Sequence, residues 1–230
     1  MKRRRSRRTF CFSSASSAVT LEVVSVQLRD VTKLFGRFAA LRGVSHDFRP
    51  GTLTVIVGDN GAGKSTLLRV IAGLLKQTSG TCTVLGRIGY MAHASMLYDE
   101  LTGLENLRYF AALYGMEDDS RLRNLLTAVD LDPALTRSAR DYSQGMRQRL
   151  SLARAVVNDP EVLLLDEPFS NIDAESAQHI VKLLATWRDA GKTIALVTHQ
   201  PALLERVADE LLTLRQGLVS QPSAGFEVHA

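Results

Sequence analysis

Apolar positions along the chain pass from strand-like alternation, through short unbroken runs, to helical spacing and back. From Leu21 the pattern is that of a strand, with Leu21, Val23, Val24, Val26 and Leu28 rich in β-branched residues. Phe35-Gly36 predicts a turn and Leu41–Phe48 a second short strand. After the Pro50-Gly51 turn, Leu53–Val57 is an unbroken apolar run suited to a strand buried on both faces of a parallel sheet. Leu67, Leu68, Ile71, Leu74 and Leu75 then fall on one face of a helix over Lys64–Leu75. Two short strands, Thr81–Leu85 and Arg87–Met91, follow, joined so closely that they predict a tight hairpin.

From about Ala94 to Val157 helical spacing dominates. Thr102 and Glu105 have capping-box spacing, which predicts a helix from there to about Tyr114. Three more apolar strands follow: Val162–Leu165, Thr193–Val197 and Leu211–Leu214. Strands and helices alternating around an inserted helical block imply an α/β core with a parallel sheet. No internal repeat is visible.

Composition narrows the picture. The 230 residues suffice for one domain with a subdomain, and 45% hydrophobic with 23% charged residues is ordinary for a globular protein. No run of about 18 apolar residues offers a membrane span. The net charge of +4 could point to nucleic acid, but Lys2, Arg3, Arg4, Arg5, Arg7 and Arg8 precede the first acid, Glu22. Without these six, 22 basic side chains face 24 acidic ones, a net of −2, so the basicity belongs to residues 1–20 and no nucleic-acid partner is expected. That stretch predicts a disordered extension or a mis-assigned start. Ser6–Phe10 also has the look of a twin-arginine or transit signal, although the serine-rich residues 11–20 make a poor apolar core for one. Cys11 and Cys82 form no disulfide framework and no metal spacing, which fits a reducing compartment.

The chemistry begins at Gly58-Asp59-Asn60-Gly61-Ala62-Gly63-Lys64-Ser65, a G-x-x-x-x-G-K-S loop between a buried strand and an amphipathic helix. Glycines let successive N–H groups turn inward onto phosphate oxygens, and the helix adds its positive end. Lys64 is expected to reach the β- and γ-phosphates, Ser65 to ligate Mg²⁺ and Thr66 to contact the α-phosphate. A glycine-rich turn that binds nothing is the bland alternative, and the strand and helix around the loop argue against it. Asp166-Glu167 closes an apolar strand, where α/β sheets hold ligands. Asp166 is expected to hold Mg²⁺ and Glu167 to orient or deprotonate the attacking water; an acidic pair ending a strand is otherwise ordinary surface chemistry.

Tyr142-Ser143-Gln144-Gly145-Met146-Arg147-Gln148-Arg149 heads a helical stretch. Here the sequence resembles ABC-transporter ATPases, whose signature is Leu-Ser-Gly-Gly-Gln followed by any residue and Gln-Arg. Ser143, Gly145, Gln148 and Arg149 match, whereas Tyr142, Gln144 and Met146 depart. Ser170–Asp173 stands in the place of the family's D-loop, and Thr198-His199 in that of its switch histidine. The resemblance covers about residues 26–217. It implies a P-loop NTPase (RecA-like) core with an N-terminal antiparallel β subdomain and an inserted α-helical subdomain, the cassette running over 21–221 with a short tail after it.

It further implies a homodimer of cassettes with ATP at the interface. Ser143 and Gly145 of one copy would act on the ATP of the other, and His199 would contact the γ-phosphate. Phe35 aligns with the aromatic that stacks on adenine, with core packing as the alternative. Integral membrane subunits would dock on the block from Ala94 to Asp141, which implies a cytoplasmic protein peripheral to the inner face of the cell membrane.

His93 occupies the slot where the family has a glutamine that reaches Mg²⁺ and the water. A neutral imidazole can replace it in part, or His93 merely lines the subunit interface. If it ligates Mg²⁺, protonation would repel the ion, and ATPase activity would fall in mild acid more steeply than in His93→Gln. Within the family, Tyr90–Leu107 together with Thr198–Pro201 resembles the haem-exporter ATPase of cytochrome c maturation. Exporters of drugs, polysaccharides or lipids share much of that pattern. A soluble ABC ATPase of repair or translation is the alternative from another class.

Overall fold

The computed structural model describes residues 25–220; the expectations for residues 1–24 and 221–230 lie outside them. Two sheets organise the chain. Strands β1 (Val26–Phe35), β2 (Phe38–Phe48) and β4 (Ser79–Val84) form an antiparallel sheet in the order β2-β1-β4. The second sheet runs β5-β6-β7-β3-β8-β9. It is built from β3 (Leu53–Val57), β5 (Ile88–Met91), β6 (Val162–Asp166), β7 (Thr193–Val197), β8 (Glu210–Arg215) and β9 (Leu218–Ser220). All its pairings are parallel except the terminal β8–β9 hairpin.

The α/β expectation therefore holds, and the three central strands explain why they appear as unbroken apolar runs. β6 and β7 are buried at every position and β3 at four of five, so both faces are covered. One face packs on α1 (Lys64–Ile71) and the antiparallel sheet through Ile56, Leu164, Ala195 and Val197. The other carries Val55, Leu163, Leu165 and Leu196. It meets the helical layer: α2 (Gly103–Ala112), α3 (Asp119–Ala128), α4 (Gln144–Ala155) and α5 (Ala174–Asp189). Among the described residues no helix is long and apolar enough to cross a membrane.

The capping box is present. Thr102 Oγ1 accepts from Glu105 N at 3.2 Å and Glu105 Oε2 accepts from Thr102 N at 2.8 Å, starting α2 at Gly103. Three expectations are corrected. The strands around Leu85–Arg87 form no hairpin: β4 pairs with β1 and β5 pairs with β6, so the three residues carry the chain from one sheet to the other. Arg87 secures the crossing, its backbone N–H and guanidinium both donating to Glu161, at 2.6 and 3.0 Å. Secondly, α1 ends at Ile71, where Ala72 and Gly73 bond back to Leu68 and Val70. Leu74 is left 63% exposed rather than on the helix face. Thirdly, α2 ends at Ala112, short of Tyr114.

Candidate functional site

Register brings the chemistry together. Ile56 of β3 lies beside Val197 of β7, which lies beside Asp166 of β6, and Leu165 lies beside Met91 of β5. Because these strands are parallel, the chain leaves all four at one edge. The phosphate loop, Glu167, His199 and His93 follow at that edge within a few residues, the place where α/β sheets bind ligands. A cavity of about 400 Å³ opens there, lined by Phe35, Asn60 to Thr66, His93, Asp166, Glu167 and His199.

The loop can take its shape only with glycines at two points. A Cβ on Gly58 would stand 2.0 Å from the Leu214 carbonyl oxygen, and one on Gly63, whose φ is +102°, 2.4 Å from that of Ala40. The loop thus lies directly on the backbones of β2 and β8. Gly63 is also the N-cap of α1, which has no side-chain cap and no acid in its first turn, so its N-terminal amides stay available to an anion. Lys64 is buried, and its ammonium donates to the carbonyls of Gly58 at 2.6 Å and Asp59 at 3.0 Å, which aims it across the loop.

Asp166 ends β6 at 2% exposure, and its Oδ2 has no hydrogen-bond partner. Asp166 and Ser65 line the same cavity, and a carboxylate with a buried, orphaned oxygen beside a hydroxyl is a donor set for a hard divalent cation. No cluster of three or more His, Cys, Asp or Glu able to hold a metal exists among the described residues.

Glu167 adopts φ +58°, unusual for a residue other than glycine. Its N–H donates to the Val197 carbonyl at 2.9 Å, and its own carbonyl accepts from Ser170 N at 3.2 Å and Gln148 Nε2 at 2.6 Å. Its carboxylate accepts from His199 N at 3.2 Å and lies 3.5 Å from His199 Nε2. His93 and His199 are both exposed on the cavity wall.

Ser143 and Gly145 are not brought into this cavity. Ser143 caps α4, its Oγ accepting from Met146 N at 3.2 Å, and it is exposed. Phe35 is 49% exposed, so it is not a core residue. Two site residues carry no role in the sequence reading. Phe38, 60% exposed, pairs with Phe35 across the β1–β2 turn and lines the same cavity; aromatics flanking a turn in the pattern F-G-R-F were the available signal. Gln148 matches the signature, but its bond to Glu167 leaves no local trace.

A family model described as ABC transporter matches residues 41–170. The chain belongs to the ABC transporter family. Its cassette is of the ATP-hydrolysing kind. The chain is 34% identical over 222 residues to the lactose transport ATP-binding protein LacK of Rhizobium radiobacter, covering 90% of the chain and 61% of that protein. To the Nod factor export ATP-binding protein I of Cupriavidus metallidurans it is 33% identical over 207 residues, covering 84% of the chain and 68% of that protein. The chain therefore spans about two thirds of the length of these relatives. Among solved structures, the cassette is similar to MJ0796 in a dimeric post-hydrolysis state bound to ADP and Pi. The TM-score is 0.79 at 28% identity, over 85% of this chain and 97% of that one. A second dimeric structure of MJ0796, described as a bacterial ABC transporter cassette, gives a TM-score of 0.80 at 27% identity, covering 85% and 97%.

Proposed function

We propose that this cassette hydrolyses ATP between two copies of itself and thereby drives export through separate membrane subunits. One observation carries the reading: Lys64, Asp166, Glu167 and His199 share one cavity, while Ser143 stands exposed outside it at the head of α4. A cavity supplied from one side and a capped helix end with no acid in its first turn are complementary halves. Two copies set head to tail would close both.

Within that closed site the phosphates lie on the N-terminus of α1, with Lys64 leaving its loop carbonyls to neutralise the β- and γ-oxygens. Ser65 and Asp166 would hold Mg²⁺, which neutralises charge developing on the phosphate oxygens. Glu167 orients the attacking water and takes its proton, and His199, whose backbone N–H already bonds the Glu167 carboxylate, contacts the γ-phosphate through its ring. The base stacks on Phe35. Glu167→Gln tests the roles: it should retain ATP binding, lose nearly all hydrolysis and accumulate an ATP-bound dimer on size-exclusion chromatography. Full turnover in that variant would refute the role of Glu167.

A membrane partner is supported by a groove of about 300 Å³ between the end of α1, β5 and the helical layer. Leu74, Met96, Leu113 and Tyr114 line it and are all more than half exposed, an apolar surface of the kind a short helix covers. The segment from His93 to Met96 links this groove to the nucleotide cavity. Docking there would keep the cassette on the cytoplasmic face of the membrane. For cargo we favour haem for cytochrome c maturation, supported by the Tyr90–Leu107 and Thr198–Pro201 patterns alone. The relatives named above handle lactose and Nod factor. Co-purification of a multispan protein, with haem release dependent on ATP, tests the assignment; drug, polysaccharide or lipid export is the alternative outcome.

A further inference from the structure

The catalytic turn is held from an unexpected direction. Glu167 sits in the left-handed region at φ +58°, a conformation strained for a residue with a side chain, which persists only where its surroundings impose it. On one side β7 and the turn after it impose it, through the Glu167 N–H on Val197 and the His199 N–H on the carboxylate. On the other side the Glu167 carbonyl receives Gln148 Nε2 at 2.6 Å, the shortest of the four bonds that hold the residue. Gln148 is itself buried and lies about one and a half turns along α4 from the exposed cap Ser143.

The same helix grips the rest of the cavity's rim. Gly145 packs on the loop after Glu167, where an added Cβ would meet the Asn171 carbonyl at 3.3 Å. Arg147 and Ser151 bond Ser95, at 3.1 and 2.9 Å, two residues beyond His93. α4 therefore ties its own Glu167 and its own His93 segment to a helix whose cap, Ser143, lies outside their cavity.

We infer that Gln148 is the positioning residue for Glu167, making the general base of one nucleotide site depend on the helix whose head serves the other. Its amide fixes the Glu167 peptide plane, and the peptide plane sets where the carboxylate meets water. When α4 shifts to engage the second copy's phosphate, Gln148 carries that shift to the Glu167 carbonyl. This inference rests on the proposed role of Glu167 as base. Gln148 is not among the residues that line the nucleotide cavity, so its loss should leave nucleotide affinity alone and lower the chemical step.

The test uses the full chain and four proteins: wild type, Gln148→Met, Glu167→Gln and the double variant. Methionine keeps length and burial and removes the donor. The expected result for Gln148→Met is a kcat lower by about 10- to 100-fold, the penalty of misplacing a reacting group by under about 1 Å. KM for ATP should stay within about threefold and Tm within about 5 °C, since Ser170 still bonds the Glu167 carbonyl. In the Glu167→Gln background, single-turnover hydrolysis with labelled ATP should be unchanged by the further Gln148→Met substitution, because the base it positions is gone. Equal fold-losses in both backgrounds, or a rise in KM that accounts for the loss, would overturn the inference while leaving Glu167 as base. Full turnover in Glu167→Gln alone would instead remove the reading beneath it. Should Gln148→Met not fold, Gln148→Asn retains the amide and withdraws it by one methylene, and the same pattern is required of it.

Discussion

Two glycines of one loop provide a controlled experiment on how the phosphate site is built. Gly61 has φ +79° and nothing within 4 Å of an added Cβ, whereas Gly63 has φ +102° and would place that atom 2.4 Å from the Ala40 carbonyl. Gly61→Ala therefore pays only the left-handed penalty, about 1–2 kcal/mol. Gly63→Ala carries at least that penalty, since φ +102° lies beyond the region any L-residue prefers. It must also open the Ala40 contact from 2.4 Å to beyond 3.0 Å, moving either β2 or the start of α1. Forced overpacking costs about 1–3 kcal/mol, so the total is about 2–5 kcal/mol, a large part of the roughly 5–15 kcal/mol by which domains are stable. Because the loop carries Lys64 and the helix amides, its displacement should also weaken ATP binding by about 10- to 100-fold, the worth of one charged hydrogen bond. Urea unfolding and titration of a fluorescent ATP analogue measure the two effects. Equal losses for the two variants, in either assay, would refute the claim that the loop's position is set by contact with β2.

Other perturbations test other links. Leu164→Ala, at the fully buried centre of β6, should cost about 2–5 kcal/mol in urea unfolding, with ATP still bound by the folded fraction. Asp166→Asn should abolish the extra thermal stabilisation that Mg²⁺ adds to ATP, while the ligand-free protein is no less stable, because the buried Oδ2 makes no hydrogen bond for the substitution to break. The Arg87 guanidinium and backbone N–H hold the Glu161 carboxyl down at about 2, from 4.5. A depressed carboxylate stabilises the fold above its unfolded value and loses that contribution as pH falls through the folded one. The stability gap between wild type and Arg87→Met should therefore be constant above pH 4.5 and close toward pH 2. Both side chains are about half exposed, so the gap should be small and shrink further in high salt.

Much of the site was legible because its signals are local. The phosphate loop needs glycines in a fixed order between a strand and a helix, and Asp166-Glu167 and His199 each follow an unbroken apolar run. What parallel register does with those runs follows from the sheet itself. The misreadings arose where tertiary pairing overrides local spacing. Leu85-Gly86-Arg87 has the length of a hairpin turn, but Glu161, distant in sequence, holds Arg87 on the other sheet. Helical spacing through Leu74 and Leu75 could not show that the chain turns at Gly73 to reach the antiparallel sheet. α5 shows its period plainly, with Ala177, Ile180, Val181 and Leu184 on one face, whereas the three-residue β9 is too short to carry a period of its own. Gln148 was matched as a letter of the signature, and only the fold brings it to Glu167.

The central claim is that each nucleotide site is assembled from two copies, Glu167 from one and Ser143 from the other. Glu167→Gln and Ser143→Arg chains, each inactive alone, should recover activity when mixed in equal amounts. Half of the dimers then carry one site with both residues intact, which sets the ceiling at about a quarter of wild-type activity. Recovery toward that value is the predicted result. A mixture as inactive as its components, with heterodimers demonstrated by differential tags, would contradict the account.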